Sequence, residues 1–323
     1  MNALQTRRLA FLAFCALIAV HAATAQDIFR LAGPPGAIYA NASFEQRTLV
    51  TVEIPVEHQG TAVPDWFLAA TAGGGTYAAR RLTHESLMGA ELSYQLFPSA
   101  PNGATPILTS PDATGFSAAN VVTSSDFAID SGVARIEAFP IFYEIPTNQF
   151  RASGTYNDTM QLRLYRGVPG DPATHVLVDS ATVTVTARMA RLVDMFAVPE
   201  PGIRTMDLTI TATNRLIATV HERSNADTGY EVSITSANLA AAGAGHTQPF
   251  LAHTGSAGTL VYSLSYGGVA TGPWVNGAAV VTESLGLAGP DWLTRDLRIS
   301  YTGSPSLPAG YYEDRLIITI TAR

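Results

Sequence analysis

The chain contains no lysine; all 19 basic residues are arginine. Its one cysteine, Cys15, has no second thiol to pair with, so no internal disulfide can form. Many small exported β-domains lean on disulfides. A fold built from this chain must rely on core burial or on strands from a partner. Long apolar runs are absent as well: the longest, residues 9–20, is about 12 residues, short of the ~20 that span a bilayer. No long segment shows helical spacing. Residues 239–245 are alanine-rich but include Gly243 and Gly245, which suits a loop or a single turn.

Catalytic constellations are missing too. No Gly-x-Ser-x-Gly elbow occurs, and Gly255-Ser256-Ala257-Gly258 is one residue too short. His58, His84, His175, His221, His246 and His253 include no i, i+4 pair, and His221-Glu222 lacks the second histidine of a zinc protease. Adjacent carboxylates such as Glu313-Asp314 point to opposite faces of a strand and cannot share one substrate. No catalytic, cofactor or metal site is expected, and a hydrolase would need Ser, His and an acid to converge only in the fold. Charge argues against nucleic acid. Without Arg7 and Arg8, 17 arginines face 26 acidic residues, a formal net charge of −9, and a nucleic-acid surface needs clustered positive charge.

What is present begins with an export signature. Arg7 and Arg8 form a basic start, residues 9–20 an apolar run, and Ala23-Thr24-Ala25 a cleavage site. Residues 1–25 are expected to be a signal peptide, leaving a mature chain that starts at Gln26. The remainder reads as β-structure. Residues 49–54, 91–96, 182–186 and 208–211 alternate apolar and polar, separated by Gly, Pro, Asn and Ser clusters such as Gly73-Gly74-Gly75. That pattern predicts short strands of antiparallel sandwiches, with Pro55 breaking the first of them. Val198-Pro199-Glu200-Pro201-Gly202 resembles a stiff connector. The expected organisation is therefore two tandem immunoglobulin-like or pilin-like β-sandwiches, residues 26–198 and 199–323.

One phrase occurs twice. Gly154-Thr155-Tyr156-Asn157-Asp158 and Gly310-Tyr311-Tyr312-Glu313-Asp314 are both Gly-x-Tyr-x-Asp turns feeding an alternating strand, 156 residues apart. Upstream, Leu92-Ser93-Tyr94-Gln95-Leu96 corresponds to Leu260-Val261-Tyr262-Ser263-Leu264. In the repeated turn, glycine permits a tight approach, the tyrosine packs over the sandwich end as a tyrosine corner would, and Asp158 and Asp314 accept turn N–H groups. After the first copy another strand-like segment follows at 176–186; the second copy is followed only by the strand around Leu316, Ile318 and Ile320. A second sandwich short of one strand would expose unpaired backbone and open a groove into its core. An extended segment from another chain repairs both faults. The groove is expected between Leu316, Ile318 and Ile320 on one side and a strand of Met206, Leu208 and Ile210 on the other.

The Tyr-x-Leu strand followed by Gly-x-Tyr-x-Asp and a threonine-rich strand resembles the spore coat protein U domain of archaic chaperone–usher pili. The likeness covers residues 91–165, and more thinly 261–264 and 307–322. Two departures stand out: the mature chain has no cysteines, and residues 26–39, with Gly33-Pro34-Pro35-Gly36, do not alternate as a donor strand does. The resemblance implies a tip-adhesin-like subunit with no catalytic role. Its partners would be a pilin donor strand, a periplasmic chaperone and an outer-membrane usher. It would pass through the periplasm to a surface pilus. Pro34, Pro35, Ile107 and Leu108 are then the expected surface-binding loop residues. A free-standing secreted sandwich that binds glycans or surfaces is the alternative.

Overall fold

The computed structural model describes residues 27–243, 246–284 and 288–323. The expected signal peptide lies outside the described residues. The fold is nearly all β. In the first half the strands are β1 (Ile28–Leu31), β2 (Ala37–Ala42), β3 (Thr48–Gly60), β4 (Trp66–Ala70), β5 (Gly75–Thr76), β6 (Ala79–His84), β7 (Glu91–Phe97), β8 (Ser131–Ile145), β9 (Gly154–Arg166) and β10 (Val176–Met189). In the second they are β11 (Val193–Pro199), β12 (Ala212–Ser224), β13 (Tyr230–Ser236), β14 (Phe250–His253), β15 (Thr259–Val261), β16 (Ser263–Tyr266), β17 (Val269–Ala270), β18 (Ala278–Ser284), β19 (Ala288–Tyr301), β20 (Tyr312–Glu313) and β21 (Leu316–Ala322). Among the described residues one short α-helix, α1 (Ala237–Ala242), stands at the alanine-rich stretch; Ser236 caps it, its hydroxyl accepting the Leu239 N–H at 3.2 Å.

The first-half strands form one continuous sheet in the order β1-β3-β8-β7-β6-β9-β10-β2, folded around its core, with β4 also on β9. Every pair is antiparallel except β2 with β10, which run parallel. Alternation decides which side chains enter. In β10, Val183, Val185, Ala187 and Met189 are buried; in β2, Ile38, Ala40 and Ala42 are. Pro55 does not end β3. A strand residue's N–H and C=O point to the same neighbour; Pro55 O accepts from Ala32, beyond β1's last pair, Leu31↔Val56. The N–H that proline lacks would meet no strand there.

The second half is divided among three sheets: β11-β12-β19-β16-β17, β18-β13-β21 and β15-β14-β20. Its core, with Val220, Tyr230, Val232, Ile234, Tyr262, Leu264 and Leu297, shares no member with the first. β11 pairs with β12 from Val193↔Ser224 to Pro199↔Ala218, so residues 193–199 lie in the second half's sheet. The chain passes between the two units at 190–192. There Asn225, almost wholly buried, acts as a clasp. Its side chain accepts the Leu192 N–H at 2.6 Å and donates to Ala190 O at 2.9 Å, while its own carbonyl accepts the Ser153 N–H at 2.7 Å.

Candidate functional site

The two repeated motifs of each half meet in space. Tyr94 of β7 donates its hydroxyl to the Asp158 carboxylate at 2.5 Å, and Asp158 also accepts the N–H groups of Gly74 at 2.8 Å and Thr159 at 2.7 Å. In the second half Tyr262 donates to Asp314, which also accepts the Ser236 hydroxyl at 2.6 Å and the Asn238 N–H at 3.1 Å. The turn tyrosines match as well: Tyr156 donates to Ala152 O at 2.8 Å and Tyr312 to Pro308 O at 3.0 Å. Burial, then the bond to Asp158, pushes the Tyr94 phenol well above its ordinary range, and the same two causes act on Tyr262 with Asp314.

A third partner was not legible as a motif. His84 Nδ1 accepts the N–H groups of Ser86 and Leu87, which leaves Nε2 to carry the proton and donate to Ser153 O at 3.0 Å. His253 Nδ1 accepts the Gly255 N–H at 2.8 Å, so its Nε2 donates to Ala309 O at 3.1 Å. Each ring stands edge-on to its turn tyrosine, 4.8 Å from Tyr156 and 5.0 Å from Tyr312. Each also presses on the turn glycine, Gly154 or Gly310, where a Cβ would collide with Nε2. The signal was an ordered one: His84 precedes Tyr94 by 10 residues and His253 precedes Tyr262 by 9.

With the two frames superposable by motif, one difference stands out. β9 is paired on one side with β4 and β6 and on the other with β10 along its whole length, Arg166↔Val176 to Gly154↔Met189. β21 pairs with β13 and β20 with β14, and both end their sheets. Among the described residues no strand pairs with their other edge. A groove opens beside that edge in two adjoining cavities of about 410 and 760 Å³, sharing Ile203, Met206, Leu251, Tyr311 and Tyr312 in their walls. Leu208 and Leu307 line the first, and Ile217, Tyr262, Ile299 and Leu316 the second. Apolar walls and an unpaired edge together can take an extended peptide: the backbone would hydrogen-bond to β21 and alternate side chains would enter the cavities.

Met206, Leu208 and Leu316 thus line the groove, and Ile318 and Ile320 face the core from β21. Ile210 does not; it is 64% exposed. Nor is there a strand at 206–210, despite its alternation. Asp207 accepts the N–H and hydroxyl of Thr209, at 2.9 and 2.6 Å, and this side-chain turn competes with extended backbone. Tyr301 donates to Asp207 O and Ser304 N–H to Leu208 O, fixing it further.

The expected binding loops divide. Pro34 and Pro35 are half-buried between β1 and β2, and Ile107 is half-buried. Leu108 is fully buried and cannot serve as a surface contact. The cause is Arg80, buried and without a carboxylate partner among the described residues. Its guanidinium donates to Leu108 O at 2.7 Å, Thr71 O at 3.1 Å and Gln95 at 2.5 Å, pinning the loop inward. Among the described residues no group of three or more His, Cys, Asp or Glu could hold a metal ion, and no helix is long and apolar enough to cross a membrane.

No family model and no curated protein matches the chain. Among solved structures it is similar to a chain of the CsuC–CsuE chaperone–tip adhesion subunit pre-assembly complex, from archaic chaperone–usher Csu pili of Acinetobacter baumannii. That similarity has 12% identity and a TM-score of 0.38, over 89% of this chain and 98% of that one. CfaE, the adhesive subunit of CFA/I fimbria of enterotoxigenic Escherichia coli, is similar at 14% identity and a TM-score of 0.36, over 90% of this chain and 93% of that one. The CssB subunit of an enterotoxigenic Escherichia coli colonization factor, complemented with a donor strand from CssA, matches 47% of this chain and 94% of its own at 12% identity and a TM-score of 0.23.

Proposed function

We propose that the chain is a non-enzymatic structural and adhesive subunit of an archaic chaperone–usher pilus, positioned at the tip. In this reading the second half receives the donor strand of the next pilin, and a periplasmic chaperone holds the same groove before an outer-membrane usher directs assembly. The first half, which carries its own β10, would contact the surface to be colonised. In this reading the border between the two units, expected between 198 and 199, falls at 190–192 instead, because β11 pairs with β12. The chain would be exported and displayed on the cell surface.

One observation carries the proposal: β9 has a strand on each side, whereas among the described residues β20 and β21, its counterparts by the shared turn motif, are paired on one side only and border a groove with apolar side chains in its walls. The likeness of the repeated motifs to the spore coat protein U domain supplies the biological setting. The physical scale is adequate. The four apolar side chains that β10 buries, Val183, Val185, Ala187 and Met189, would in a donor give roughly 5–10 kcal/mol of transfer free energy before ordering costs. The test is calorimetry of the mature chain with and without a pilin donor peptide. The expected result is two transitions, of which the peptide raises the one belonging to the second half. A second half that melts at the same high temperature with or without peptide overturns the assembly role and favours a free-standing binding module.

A further inference from the structure

Resting on that reading of the groove, we infer that residues 206–210 are a latent strand. They extend when a donor enters, lie parallel to it on the side away from β21, and bury Met206, Leu208 and Ile210.

The first half provides the template. Its β1 ends with the pair Leu31↔Val56, after which the Ala32 N–H donates to Pro55 O at 2.9 Å. The second half repeats this: β11 ends with Pro199↔Ala218, and the Glu200 N–H donates to Ile217 O at 2.9 Å. Both matches set the same offset of 168 residues, from 31 to 199 and from 32 to 200. Carried forward without a gap, that offset places Met206 on Ile38, Leu208 on Ala40 and Ile210 on Ala42. Those three counterparts are the buried positions of β2, the strand that runs parallel to β10 from Thr184↔Ala37 to Met189↔Ala42. Where β10 stands in the first half, the second has an open groove. Met206 and Leu208 are its wall, and Ile210 is left in solvent. Three apolar side chains with β2's spacing therefore await the strand that would cover them, and the Asp207 turn holds them meanwhile.

The occupant is an extended segment of another protein chain, antiparallel to β21. β10 sets its pattern. Val183 pairs with Met160, Val185 with Asp158, Ala187 with Tyr156 and Met189 with Gly154. By the turn motif, a donor would place apolar residues of this kind opposite Leu316, Asp314, Tyr312 and Gly310.

The test is hydrogen exchange on the full mature chain with a synthetic peptide carrying the sequence of residues 178–189. Slowed exchange of amides in both 206–210 and 316–322 is the expected result. Slowing in 316–322 alone overturns the latent strand while leaving the donor-strand function standing. No slowing in either segment overturns both. A variant gives a second reading: Ile210→Asn replaces a solvent-facing side chain, so the free chain should melt unchanged. Peptide binding should nevertheless weaken by roughly tenfold to a hundredfold, the worth of burying one isoleucine. Unchanged affinity in Ile210→Asn overturns the inference.

Discussion

The Tyr94 hydroxyl donates to the Asp158 carboxylate at 2.5 Å, and it joins two sequence motifs that lie 64 residues apart. Its counterpart, Tyr262 to Asp314, does the same in the second half. A buried hydrogen bond to a charged group contributes about 1.5–3 kcal/mol. Tyr94→Phe is expected to lower the stability of the first half by that amount and leave the second half's transition in place; Tyr262→Phe should do the reverse. Tyr143 is the control. Its hydroxyl is buried and has no hydrogen-bond partner among the described residues, so Tyr143→Phe should be neutral or stabilising. Urea unfolding of the three variants checks this. Equal losses in Tyr94→Phe and Tyr143→Phe would show that the bond to Asp158 counts for nothing.

Gly154 has φ of 129°, a conformation that side chains rarely adopt, and a Cβ there would lie 2.5 Å from His84 Nε2. The ring cannot step aside freely, because both its nitrogens are bonded to backbone. Gly154→Ala should cost about 3 kcal/mol or more from backbone strain and collision together. The collision part belongs to a pair, so Gly154→Ala with His84→Ala should lose less than the two single changes added. Additive losses in chemical denaturation would mean that the histidine does not crowd the glycine.

How much of this was legible in the sequence depended on whether the signal was local or shared across space. The strands β7 and β10 and the Gly-x-Tyr-x-Asp turns were legible because period-2 alternation and turn chemistry act within a few residues. The likeness of the two halves was visible in Tyr94 and Tyr262, but not that these tyrosines reach Asp158 and Asp314. His84 and His253 belonged to no i, i+4 pair, and a ring that serves only backbone groups leaves no motif. Alternation misled at 206–210, where Asp207 offers the backbone a local turn and no neighbouring strand competes. Leu108 misled for the opposite reason: it was expected in a surface-binding loop, whereas buried Arg80 demands its carbonyl. The clasp at Asn225 gave no sign at all, because its partners at 153, 190 and 192 are far away in the chain.

That clasp should govern how firmly the two halves are held. Asn225 bonds to Ala190, Leu192 and Ser153 at once, and beside it Asp227 accepts the Ser153 hydroxyl at 2.9 Å. Asn225→Ala removes one donor and one acceptor and strands the Leu192 N–H and Ala190 carbonyl, a loss of roughly 2–4 kcal/mol. The two cores are untouched, so each should keep its own melting behaviour in large part. The connector at 190–192 should instead become cleavable in limited proteolysis, and the scattering envelope should broaden. A variant as resistant as the parent chain at 190–192 would show that packing alone fixes the junction.

Alkaline stability offers a reading of the buried phenols that other proteins rarely permit. With no lysine present, tyrosines are the side chains that titrate near pH ~10, since arginine holds its proton well beyond that. Burial pushes Tyr143 far up; burial and the aspartate bonds do so for Tyr94 and Tyr262; burial raises Tyr156 to about 12. In the unfolded chain these phenols ionise at their ordinary pKa of ~10, so above that pH the folded state binds more protons than the unfolded one. Stability is therefore fully present below pH ~10 and falls as pH rises toward the folded-state values, by about 1.4 kcal/mol per pH unit for each phenol. Tyr94, Tyr143 and Tyr262 together would remove roughly 4 kcal/mol per unit. Urea midpoints measured between about pH 9 and about pH 11 should drop steeply, with a further rise in phenolate absorbance on unfolding. Tyr94→Phe combined with Tyr262→Phe should flatten the slope by about a third or less, because Tyr77, Tyr143, Tyr156 and Tyr266 are raised as well and remain. Midpoints that stay level over that range, with no further phenolate absorbance on unfolding, would place these hydroxyls in contact with water.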